Sequence, residues 1–156
     1  MVFACGDPLR GDDSVAPVAV SGLPSGAAAL AEVRVVGALE AEHLVDLPAG
    51  VAAVIVDAVV GPEPGAIVEL SLAELGARAA RVITTSTHQL PLDRVVALAQ
   101  LLRDEPVMGR FVGVGIEAVT EGAELSEPVA GALPAFRVAI ARAITDLAGS
   151  PDSPVG

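Results

Sequence analysis

Phe3-Ala4-Cys5-Gly6-Asp7-Pro8-Leu9-Arg10-Gly11-Asp12-Asp13-Ser14-Val15-Ala16-Pro17 is the stretch whose reading decides the fold. An apolar run breaks at Gly6 and crosses a polar loop. Two adjacent carboxylates then precede a second apolar segment. This is how a buried parallel strand feeds a loop and then a helix. In open α/β sheets the loops at the carboxyl ends of the strands are where ligands bind. A carboxylate pair placed there is either a helix cap or the start of a metal or acid/base site.

Outward from that stretch the pattern repeats. Val2 to Cys5 reads as a strand and Ser14 to Ser21 as a helix, with Pro17 tolerated in its first turn. Gly22 to Ala31 reads as a loop or helix end, Val33 to Val36 as a second strand, and Glu40 to Leu47 as a short helix. Val51 to Val56 is a continuous apolar run ended by Asp57, which suits a strand buried on both faces of a parallel sheet. After the Gly61–Gly65 turn cluster, Ala66 to Leu70 reads as an antiparallel edge strand, while Leu72 to Ala79 is ambiguous. Val82 to Thr85 finishes another strand before the Ser86-Thr87-His88 helix start. From Leu92, the residues Val95, Val96, Ala99 and Leu102 follow a helical stripe. Arg110 to Ile116 is the last strand, and its two glycines permit close backbone approach. Ser126-Glu127-Pro128 starts the final helix, with Val129, Leu133, Phe136, Ile140, Ile144 and Leu147 on one face. Strands alternating with helices predict a three-layer α/β/α sandwich around a mostly parallel, twisted sheet of about five strands. A single domain over 1–148 and a flexible tail over 149–156 are expected.

Composition narrows the class. The chain has 156 residues, long enough for one full core. Its 53% hydrophobic content includes only three aromatic residues, so that core is aliphatic. Apolar runs stop well short of membrane-spanning length, and the N-terminus lacks the features of a signal peptide. A cytoplasmic protein is expected, with neither membrane nor nucleic acid as partner. Against nucleic acid stand the net charge of −11, with 20 acidic residues against nine arginines, and the lack of any arginine cluster. One cysteine rules out an internal disulfide and a Cys-rich zinc site.

Four residues stand out for chemistry. Asp12 and Asp13 either cap the following helix or divide the work, Asp12 capping and Asp13 facing the strand ends. Asp57 ends an apolar strand, where an unpaired buried charge is costly and needs a partner, a helix N-terminus or a metal. His88 follows a strand near a helix start, which favours the neutral imidazole that a metal wants. His43 reads as a surface residue and Cys5 as core rather than nucleophile. If their strands are neighbours, Asp13, Asp57 and His88 converge on one oxygen-and-nitrogen site. That trio suits a borderline divalent ion, or acid/base work without metal. No nucleophile-elbow serine and no phosphate loop occurs.

These segments, taken in order, resemble the nickel–iron hydrogenase maturation proteases. Cys5 to Asp13 resembles that family's signature loop, Val54-Ile55-Val56-Asp57-Ala58 its central strand, and Ser86-Thr87-His88-Gln89-Leu90 its histidine segment. Gly113 to Glu117 with Leu125 to Val129 resembles its last strand and helix. The resemblance spans nearly the whole chain. It implies an aspartyl-type endopeptidase that removes the C-terminal extension of a hydrogenase large-subunit precursor after nickel insertion. Asp13, Asp57 and His88 would then be both the metal-binding and the catalytic residues, with the nickel supplied by the substrate. The sequence departs from the family pattern at Ala4, Ala16, Pro91 and Glu40, where glycine is common. At Asp7 it has a carboxylate for the usual asparagine, which adds charge beside the ligands and removes a donor. Two other readings stand beside this one: a nickel- or precursor-binding maturation factor without turnover, and a generic α/β small-molecule enzyme in which the three residues are caps and turn acids.

Overall fold

A computed structural model gives the structure, which describes residues 1–79, 91–117 and 124–149. The strands are β1 (Val2–Cys5), β2 (Val33–Val36), β3 (Ala53–Val60), β4 (Ile67–Ser71) and β5 (Gly109–Ile116). The helices are α1 (Val15–Ser21), α2 (Ser25–Ala28), α3 (Ala41–Val45), α4 (Leu72–Ala79), α5 (Leu92–Leu102) and α6 (Glu127–Ala148). The sheet runs β2-β1-β3-β5-β4. All neighbours are parallel except β4, which pairs antiparallel to β5 at the edge.

Period-two alternation divides the core into two halves. Val2 and Ala4 of β1, Val54 and Val56 of β3, and Val112, Val114 and Ile116 of β5 pack with α1, α2 and α6. Phe3, Cys5, Ala53, Ile55 and Phe111 face the other way, onto α3, α4 and α5. The expected α/β sandwich is therefore present, with a five-stranded sheet. Phe136, Ile140, Ala143 and Ile144 give α6 its buried stripe, while Leu133 and Leu147 are half-buried on its margin. Pro134 lies inside α6 but on its exposed side, so the Ala130 carbonyl that loses its helical donor is on the water-facing side.

Several local expectations need correction. The strand through Asp57 does not end there but continues to Val60. The reason is its neighbour: β5 pairs with it residue by residue from Asp57↔Gly113 to Val60↔Ile116, whereas pairing with β1 stops at Ala4↔Val56. The ambiguous segment from Leu72 is helix α4, with Leu72 and Leu75 buried. A short helix, α2, interrupts the loop expected over Gly22–Ala31. Leu102 shares the helical stripe of Val95, Val96 and Ala99, yet it is 62% exposed while those three are buried. The strand over Val82–Thr85 and the tail beyond Gly149 lie outside the described residues.

Candidate active site

The first carboxylate is set by a backbone crossing. Gly6 ends β1 with φ +116°, and a Cβ built there would lie 1.9 Å from the Asp13 carbonyl oxygen. Only glycine accepts both that dihedral and that approach. The loop thus folds back on the strand end and enters a tight 3-10 turn over Gly11–Ser14, closed by the Ser14 hydroxyl donating to the Gly11 carbonyl at 2.7 Å. Asp13 sits in this turn, and its Oδ2 accepts the Asp7 N–H at 2.8 Å.

Asp12 does not cap the helix it precedes. Its buried Oδ1 instead accepts the Ser126 N–H at 2.6 Å, at the start of α6. It ties the turn carrying Asp13 to the longest helix, across 114 residues of sequence. α1 begins without a side-chain cap.

Asp57 is placed by alternation. Two residues beyond Ile55, it faces α3 and α5, the side that Cys5 also faces. The Val54 N–H donates to the Met1 carbonyl, just before β1, so the Ala58 N–H points to the same side, where β1 has already ended. Asp57 Oδ1 accepts that orphaned donor at 2.8 Å. Each carboxylate therefore spends one oxygen on a backbone N–H. Asp13 Oδ1 and Asp57 Oδ2 have no hydrogen-bond partner among the described residues.

Both acids line one cleft of about 1180 Å³ over the carboxyl ends of β1 and β3. Its walls include Gly37–Glu42 and Val45 on one side and Leu92, Val95, Leu98 and Leu102 on the other. Four carboxylates line it, Asp13, Glu40, Glu42 and Asp57, and no arginine does so among the described residues. Burial pushes the Asp57 carboxyl up to about 7, and the nearby Asp13 charge adds to that; the Ala58 N–H opposes it in part. Burial likewise pushes the Cys5 thiol far above its ordinary value, with Asp57 and Asp13 adding to the effect. Cys5 stays protonated at the cleft floor and is no nucleophile.

The expected trio is represented by two members: Asp13 and Asp57 share the cleft, whereas His88 lies outside the described residues. Among the described residues no group of three or more His, Cys, Asp or Glu is arranged to hold a metal ion. His43 is not a free surface residue. Its Nδ1 accepts the Glu40 N–H at 2.9 Å at the start of α3, and its ring lies 5.7 Å from that of Phe3. The acid at position 7 proves compatible with the loop. The bond to Asp13 uses its backbone N–H, and its Oδ1 accepts the Leu9 N–H at 2.9 Å, a role an asparagine carbonyl fills equally. Glu40, Glu42 and the α5 leucines were not singled out from sequence as site residues. Their only signal was an apolar, acid-rich segment next to a strand end.

No helix among the described residues is long and apolar enough to cross a membrane. Comparison with curated protein sequences gave no match. Solved structures do resemble the fold. The [NiFe] hydrogenase maturation protease HybD from Thermococcus kodakarensis superposes with a TM-score of 0.63 at 22% identity, over 91% of this chain and 97% of that one. The hydrogenase maturating endopeptidase HybD from E. coli gives 0.69 at 22% identity, over 93% and 91%. The E. coli endopeptidase HycI gives 0.59 at 20% identity, over 91% and 88%. Residues 30–143 match the HycI family model, described as hydrogenase maturation protease. That match covers most of the chain, including Asp57 and position 88, and the chain therefore belongs to the hydrogenase maturation protease family.

Proposed function

We propose that this protein removes the C-terminal extension of a hydrogenase large-subunit precursor that already carries nickel. In this reading Asp13, Asp57 and His88 grip the nickel, which belongs to the substrate. The observation that carries the reading is the pair of half-committed carboxylates. Asp13 and Asp57 come from separate elements to one cleft, each anchored by a backbone N–H through one oxygen, with no bond to the other among the described residues. A half-buried carboxyl whose pKa burial raises to about 7, beside a second acid, is an unfavourable arrangement on its own. A divalent cation relieves it, and two carboxylate oxygens with one imidazole suit a borderline ion such as nickel.

The chemistry follows from positioning. A metal gripped by the protease and already bound in the precursor fixes the nearby peptide bond, converting an encounter into a held geometry. The metal supplies polarisation, and a carboxylate of the pair accepts a proton from the attacking water and passes it to the leaving amine as the peptide C–N bond breaks. A precursor without nickel offers nothing for the pair to grip, so cleavage waits for metal insertion.

Mass spectrometry of the cognate precursor, incubated with this protein before and after nickel loading, tests the reading. The expected result is loss of a C-terminal peptide from the loaded precursor alone, abolished by His88→Ala in a protein that still folds. Equal cleavage of nickel-free precursor, or normal processing by His88→Ala, refutes it.

A further inference from the structure

One wall of the cleft has no part in gripping a metal. Leu98 is 37% exposed and Leu102 62%, and both line the cleft with Leu92 and Val95 of α5. Positions 95, 98 and 102 are three and four apart and so share one helical face. Val60, 65% exposed, also lines the cleft, and Leu101 of α5 is 83% exposed. Two leucines, Leu98 and Leu102, left open to water beside half-buried and exposed carboxylates mark a binding surface rather than a core.

Resting on the function proposed above, we infer that α5 is the wall that recognises the precursor's C-terminal extension. The first residues beyond the scissile bond lie extended along it. They set apolar side chains at alternate positions against Val95, Leu98 and Leu102, and none of them is acidic. Three features commit the wall to this occupant. The nickel and the mature side of the precursor are anchored at Asp13 and Asp57, so the chain leaving that point is what remains to be held. The 11-residue helix α5 rises about 16 Å, the reach of roughly five residues of extended chain. Glu40 and Glu42 on the facing wall, which the nickel does not engage, with no lining arginine among the described residues, repel an acidic segment.

The test separates recognition from turnover. A synthetic peptide of the cognate extension, labelled at its far end, is titrated by fluorescence anisotropy with the wild type and with Leu98→Asn and Leu102→Asn. Both side chains are partly exposed, so both variants keep the fold, as urea midpoints verify. Each variant is expected to bind about tenfold more weakly. With nickel-loaded precursor the same factor should appear in KM, with kcat nearly unchanged. Aspartate scanned through the first five extension residues should weaken binding at alternate positions. Equal affinity of the wild type and both variants overturns the inference, as does a scan without alternation. So does a self-association that Leu102→Asn abolishes without changing peptide affinity, since a second copy would then be what covers the wall. Absence of cleavage by a wild type that still binds the peptide through α5 counts against the protease reading and leaves this one standing.

Discussion

Asp57→Asn should make the protein more stable, and the gain should depend on pH in a fixed direction. The Asp57 carboxyl rises from 3.8 to about 7, chiefly through burial and secondarily through Asp13. Between those values the folded protein holds a proton that the unfolded chain releases, so stability is lost as pH climbs through that window and levels off above it. At 1.36 kcal/mol per pH unit the full cost at pH 8 is bounded at roughly 4 kcal/mol, and at pH 5 at roughly 2 kcal/mol. Asp57 is half-buried rather than sealed, so partial hydration lowers both figures. Asparagine keeps the Oδ1 that accepts the Ala58 N–H and deletes only the charge. Urea unfolding at pH 5, 6, 7 and 8 should therefore show a variant more stable by roughly 2–4 kcal/mol at pH 8, with less than half that gain at pH 5. A gain independent of pH, or a destabilised variant at pH 8, would refute the claim that an uncompensated carboxylate is stored in this cleft.

Three further outcomes follow from the same geometry. Gly6→Ala forces a Cβ to within 1.9 Å of the Asp13 carbonyl at φ +116°, so it should lose at least about 3 kcal/mol by urea titration and displace Asp13. Asp12→Ala strips the acceptor from the Ser126 N–H and should cost about 1–3 kcal/mol, whereas Asp12→Asn should recover most of it; equal losses would mean that the negative charge, not the bond, matters. Free nickel must displace the Asp57 proton, and any proton on the His88 imidazole, so calorimetric titration should give a Kd rising at least about tenfold per pH unit below about 7 and nearly level above it. A flat profile between pH 5 and 7 would remove Asp57 from the nickel site.

What could be read from the chain alone depended on whether each cause was local. The apolar runs of β1 and β3, and the break at Gly6, are local signals, and they located the sheet and the loop correctly. The end of β3 was not local: residues 57–60 stay in the sheet because β5 runs beside them to Ile116, a fact about a partner some 50 residues away. Asp12 is the sharper case, since a carboxylate two residues before an apolar helix reads as that helix's cap, yet its acceptor role is claimed by Ser126. Leu102 shows the same limit on the apolar side. It lies on the sequence stripe of Val95, Val96 and Ala99, and nothing in hydrophobicity tells a leucine in a core from one lining a cleft. That ambiguity itself favours a binding role. A helix ending in Leu98, Leu101 and Leu102, all partly or largely exposed, carries apolar surface the fold does not use. In an acidic protein of this size such surface weakens solubility unless a partner covers it in the working complex.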